Sequence, residues 1–158
     1  MGFSKAAHSA IGFEKGLKKG FVIRSEVYYQ YLFQVPVTVQ PSSFSMINQG
    51  SGFARFFPDT LENTGTGVNY GIELTIQKYF DKSFYVLFTS SLYNSTYKGS
   101  DGVQRNTSYN GLYTVNMLFG KEFKLNAKQT IGIGGKVTTA GGKRYGYVDL
   151  ARTAAQNE

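Results

Sequence analysis

The chain has 158 residues, enough for one domain with a modest core, and its 17 Lys and Arg against 10 Asp and Glu leave a net charge of +7. With no Cys and a single His it lacks the material for disulfide frameworks and thiolate metal sites, and nearly all of it for a transition-metal centre or a Ser-His-Asp arrangement. No window approaches the roughly 18 apolar residues of a membrane-crossing helix, and the opening residues lack the apolar core of a secretory signal.

In chain order the apolar pattern has a period of two. Residues 6–15 read as a first strand, followed by the turn Gly16-Leu17-Lys18-Lys19-Gly20. Residues 21–33 then set Phe21, Ile23, Val27, Tyr29, Tyr31 and Phe33 against Arg24, Glu26, Tyr28 and Gln30. The cleanest alternation lies in 68–80, with Val68, Tyr70, Ile72, Leu74 and Ile76 on one face and Asn69, Gly71, Glu73, Thr75 and Gln77 on the other. A helix would mix Glu73 and Gln77 into the Val68, Ile72 and Ile76 stripe, so the helical period fits worse. Asp81-Lys82-Ser83 is a hairpin turn, and 84–97 returns with Phe84, Val86, Phe88 and Leu92 on one side but Leu87 and Tyr93 on the other. Residues 113–123 and 130–139 complete six strands in three hairpins, with no helical segment.

The connections alternate in length. Those at 16–20, 81–83 and 124–129 are short, those at 34–67 and 98–111 are long, and another long stretch begins at Ala140. In an up-and-down sheet this places tight turns on one rim and loops on the other, the asymmetry of outer-membrane barrels. Strands of about 13 residues at ~3.3 Å each, tilted ~45°, span roughly 30 Å. The aromatics sort by height as well. Phe21, Phe80, Phe84, Phe119 and Phe123 lie beside the short turns, and Tyr29, Tyr31, Tyr70, Tyr93, Tyr97, Tyr109 and Tyr113 lie towards the loops, as two interfacial girdles would. The same residues are also good strand formers for a soluble sheet.

Chemistry-bearing motifs are sparse. His8 has no second His or Cys near it, and Gly132-Ile133-Gly134-Gly135-Lys136 departs from a phosphate loop at Thr130 and Val137. Glu26 and Glu73 sit on the polar faces of their strands, where lumen-facing polarity accounts for them. Lys15, Lys18, Lys19, Lys78, Lys82, Lys121, Lys124 and Lys128 cluster at the short turns, which suits either anionic head groups or solvated turns that keep strand ends apart. Basic residues following turns rather than one aromatic surface do not favour nucleic acid as a partner.

Longer segments carry a family likeness. "SEVYYQYLFQVPV" (25–37), "LENTGTGVNYGIELTIQKYF" (61–80), "SLYNSTYKGSDGVQRNTSYN" (91–110), "NMLFGKEF" (116–123) and "GGKRYGYVDL" (141–150) resemble, in order, segments of TonB-dependent outer-membrane receptors. The subfamily is the one that often carries an N-terminal carboxypeptidase-regulatory-like domain. The resemblance implies an all-β fold: about six strands of a 22-stranded antiparallel transmembrane β-barrel, a late barrel piece without the plug. It implies import of a scarce nutrient such as a metal chelate, vitamin or glycan across the bacterial outer membrane. Its partners would be outer-membrane lipid, the TonB complex through the plug region, and the transported solute. Where that family has Pro-Ile-Asp-Leu, this chain has Tyr147-Val148-Asp149-Leu150, so no role is carried to those positions.

No enzymatic chemistry and no cofactor are expected. The candidates for substrate contact are Arg55, Tyr97, Arg105 and Tyr109, charged and stacking residues in or beside the long loops. Two other classes fit the alternation: a small stand-alone outer-membrane barrel acting as adhesin or anchor, and a soluble β-barrel that binds an apolar ligand.

Overall fold

Every segment with the two-residue period forms a strand. The structure, a computed structural model, describes residues 2–49, 60–81 and 83–144. Its long strands are β1 (Lys5–Gly16), β2 (Phe21–Thr38), β3 (Leu61–Asp81), β4 (Phe84–Lys98), β6 (Tyr113–Asn126) and β7 (Gln129–Ala140). A short β5 (Gln104–Asn106) lies within 98–111, where the sequence predicts a loop. The only helical pieces among the described residues are the three-residue 3-10 turns Lys18–Gly20 and Met46–Asn48.

The chain is all-β. The long strands form one antiparallel sheet in the order β1-β2-β3-β4-β6-β7, and β5 adds to the loop end of β4. Neighbours in sequence are neighbours in the sheet, which also pairs the three expected hairpins with one another through β2–β3 and β4–β6. The sheet is open, with β1 and β7 as its edges.

Three strands run clearly further than the sequence indicates: β2 and β3 at the loop end, and β6, which reaches Asn126 and narrows the expected 124–129 turn to 127–128. Pro36 argues against a strand beyond Phe33, because it cannot donate to the ladder. The structure accommodates it in an irregular stretch: Gln34 takes φ 55°, and the β2–β3 register shifts between Leu32 and Val35 and again before Val37. On β3, Gly65 permits the close approach this requires, since a Cβ there would sit 2.9 Å from the Val35 carbonyl and against the Val37 side chain. The long connection therefore shrinks to 39–60. At the opposite rim Asp81 pairs with Phe84 and Ser83 takes φ 61°, which gives the tight turn that the sequence predicts.

Register fixes the two faces. One cross-strand row runs Ile11, Val27, Ile72, Leu92 and Tyr113; the next, pointing the other way, runs Gly12, Glu26, Glu73, Ser91, Thr114 and Ala140. The first face is apolar and uncovered: Ile11 is 82% exposed, Ile133 60% and Val137 60%. Among the described residues the buried hydrophobic side chains are Val35, Val37 and Tyr97, all at the loop end. None of the described residues thus forms a second layer packed on the sheet proper. Phe21, Phe84, Phe119 and Phe123 fall on the apolar face with Tyr29, Tyr31, Tyr70 and Tyr113. Tyr93 and Tyr97 do not belong to that girdle, because pairing with Gly71 and Gly67 turns them to the polar face.

Candidate functional site

The polar face is built by the odd-numbered residues of β3 and β4 and their register partners. Near the short turns Arg24 Nε donates to Glu14 Oε2 at 2.5 Å and its Nη1 to Gln77 Oε1 at 3.2 Å, tying β1, β2 and β3 together. In mid-sheet Glu26 and Glu73 are direct partners, and Ser91 Oγ donates to Glu73 Oε1 at 3.4 Å. A shallow open depression is lined there by Gly12, Glu14, Arg24, Glu26, Glu73 and Thr75, and a second one continues through Thr89, Ser91, Thr114 and Asn116. Towards the loops Asn69 Nδ2 donates to Gln30 Oε1 at 2.8 Å, and Asn69 Oδ1 accepts from Ser95 Oγ at 2.5 Å. The result is a wall of carboxylate, hydroxyl and amide groups suited to water and hydrated solutes.

The loop end is capped. Segment 39–49 and the β4–β6 connection fold over Val35, Val37 and Tyr97, enclosing the polar residues Ser45, Thr107 and Asn110. Ser42 N donates to Ser100 Oγ at 3.0 Å, and Ser108 N donates to Asn48 Oδ1 at 3.0 Å, so the two loops hold each other. Thr107 Oγ1 donates to Ser95 Oγ at 2.9 Å, which joins the cap to the polar wall. Asn110 Nδ2 reaches both Asn94 Oδ1 and Asn106 Oδ1 at 2.7 Å, while its own Oδ1 is buried without a partner among the described residues. Arg144 adds a third segment, with N donating to the Ser108 carbonyl and Nε to the Asn110 carbonyl.

The sequence-derived candidates separate in this frame. Tyr97 is 7% exposed and its hydroxyl donates to the Ser43 carbonyl at 3.0 Å, so it holds the cap. Arg105 is its register neighbour on β5 and makes a two-pronged pair with Asp101, at 2.8 and 2.7 Å. That guanidinium, by hydrogen bonding, holds the Asp101 carboxyl below the usual carboxylate range and is itself held charged. Tyr109 is 48% exposed, with Lys143 Nζ 5.2 Å from its ring centre. Arg55 lies outside the described residues. Tyr97 and Arg105 are therefore brought together as structure, and Tyr109 is the aromatic presented to solvent.

No family model, curated protein or solved structure matches the chain.

The side chains themselves limit the chemistry. No three His, Asp or Glu residues among those described come together as a metal site, and His8 lies edge-on to Tyr28 at 6.1 Å. No helix among the described residues is long and apolar enough to cross a membrane, which leaves strand-based crossing untouched. The Asn69–Ser95–Thr107 connection was missed by sequence reasoning. Alternation puts Asn69 and Ser95 on polar faces, but only the β3–β4 register makes them neighbours.

Proposed function

We propose that this chain forms part of the barrel wall of a TonB-dependent outer-membrane receptor, through which a scarce nutrient passes without bond-making chemistry. One observation carries the reading: the sheet presents an uncovered apolar face and an opposite, hydrogen-bonded polar face. Six strands at about 4.8 Å and roughly 25 Å of strand length make a face on the order of 700 Å², more than soluble monomers ordinarily leave in water. Lipid covers such a face without a second layer of protein, and the polar face then lines the lumen. The open edges at β1 and β7 accord with a wall that continues in further strands towards 22, since unpaired backbone groups in lipid cost several kcal/mol each. The family likeness of the five quoted segments supplies the receptor assignment, with the plug, the TonB complex and the solute as partners. Solute contact falls to the loop rim, with Tyr109 the most accessible of the three candidates among the described residues.

Reading the DNA that flanks the coding segment tests the receptor assignment. A plug and earlier strands in the same frame are expected; stop codons tight on both sides would replace it with a small barrel. Partition tests the membrane component separately. The chain is expected to require detergent, and a monodisperse monomer in plain buffer would count for a soluble sheet.

A further inference from the structure

The short-turn rim carries more than a scatter of lysines. On the apolar face, aromatic and basic residues alternate across the strands: Phe21 pairs with Lys78, and Phe84 pairs with Lys121, while Lys15 lies beside them opposite Ile23. Lys78 Nζ stands 5.7 Å from the Phe84 ring centre and Lys121 Nζ 5.0 Å from that of Phe123. The nearby carboxylates point away from this side, because Glu14 pairs with Arg24 and Glu122 with Gly132 on the polar face. Asp81 is the exception, and it is taken up by Lys78, 3.7 Å away and itself buried. Lys15, Lys18, Lys19, Lys121, Lys124 and Lys128 are exposed and form no ion pair among the described residues. The carboxylates Glu14 and Glu122 thus lie on the polar face together with Arg24 and Lys124, while Lys15, Lys78 and Lys121 lie on the apolar one.

We propose that this rim binds the head-group phosphates of anionic phospholipid, with one cluster at the β1–β2 turn (Lys15, Lys18, Lys19) and another at the β6–β7 turn (Lys121, Lys124, Lys128). The inference rests on the membrane reading above and gives it a direction, because it assigns the short turns to the phospholipid-rich leaflet. Lysine stems lie along apolar surface while their ammonium groups reach the head-group layer, and the Phe rings mark the depth at which acyl chain gives way to phosphate. Among the described residues the loop rim carries no lysine cluster of this kind: Arg105 is committed to Asp101 and Lys143 to Tyr109, and Lys5 stands singly opposite Phe33.

Flotation of the full chain with lipid vesicles is the test, using phosphatidylcholine alone and phosphatidylcholine with about a quarter phosphatidylglycerol. The anionic vesicles are expected to bind at least about tenfold more tightly, and Lys121→Gln/Lys124→Gln/Lys128→Gln to remove most of that difference. Glu122→Gln, which deletes the local carboxylate without touching a lysine, is expected to leave or raise it. Inorganic phosphate at matched ionic strength should not compete; if it does, the site takes free anions and the proposal falls. Equal binding to both vesicles overturns the proposal while leaving the membrane reading intact. Binding to neither overturns both.

Discussion

Tyr28 on β2 lies across from Gly71 on β3, and its ring covers the space a side chain at 71 would fill. A Cβ there would come 2.8 Å from the Tyr28 hydroxyl and 2.7 Å from the Leu92 carbonyl. The ring end can swing, but the carbonyl belongs to the backbone of β4, so Gly71→Ala must alter the spacing of the central strands. A loss of about 1–3 kcal/mol is expected, seen as a lower denaturant midpoint for protein refolded in detergent. Gly12→Ala on the same face is the control, because its Cβ would meet nothing closer than 3.6 Å.

The two faces respond differently to a new charge. Ile72 points to the apolar face and Thr75 to the polar one. If lipid covers the apolar face, Ile72→Lys near mid-band costs about 2–4 kcal/mol and Thr75→Lys little. If water covers it, both are surface substitutions within about 0.5 kcal/mol. Folding midpoints of both variants in phospholipid vesicles distinguish the cases, and equal midpoints would remove lipid from the account.

Strand identity and facing were legible because alternation is local: Val68 to Ile76 state their own pattern without reference to any neighbour. What lay outside that pattern was set by partners. Pro36 is a strand breaker in isolation, and only the register shifts of β2 on β3, with Gly65 opposite, reveal why the strand continues to Thr38. Tyr97 and Arg105 have the composition of a ligand site. Their roles depend on Ser43 and Asp101, and Ser43 is more than fifty residues from Tyr97 in sequence. Tyr93 and Tyr97 follow the height rule for a girdle but not the facing rule, because height alone ignores which way the strand turns them.

Acid should loosen the cap before it disturbs the sheet. The Asp101 carboxyl is depressed by its hydrogen bonds from Arg105, so its folded-state pKa lies below the unfolded one. The pair therefore contributes fully above the ordinary carboxylate range, and the contribution is lost as pH falls through the depressed value. Faster cleavage within the β4–β6 connection is expected in that acidic window, using an acid-tolerant protease. Asp101→Asn should cleave fast at neutral pH already and show a weaker pH dependence; an unchanged profile would mean that the pair does not hold the loop.

A single directed chain of hydrogen bonds links cap to wall: Thr107 donates to Ser95, Ser95 to Asn69 and Asn69 to Gln30, at 2.9, 2.5 and 2.8 Å. Thr107 is buried, so Thr107→Val keeps shape but leaves Ser95 without its donor, at a cost of about 1–2 kcal/mol. Asn69→Ala removes the middle of the same chain. Because the bonds share members, the double variant should lose less than the sum of the single losses, by about 0.5 kcal/mol or more. Hydrogen exchange at Thr107 and Asn110, whose amides bond to the Ser95 and Thr107 carbonyls, reads the effect locally. Additive losses with unchanged exchange would mean that the cap is held by its apolar residues Val35, Val37 and Tyr97 rather than by this relay.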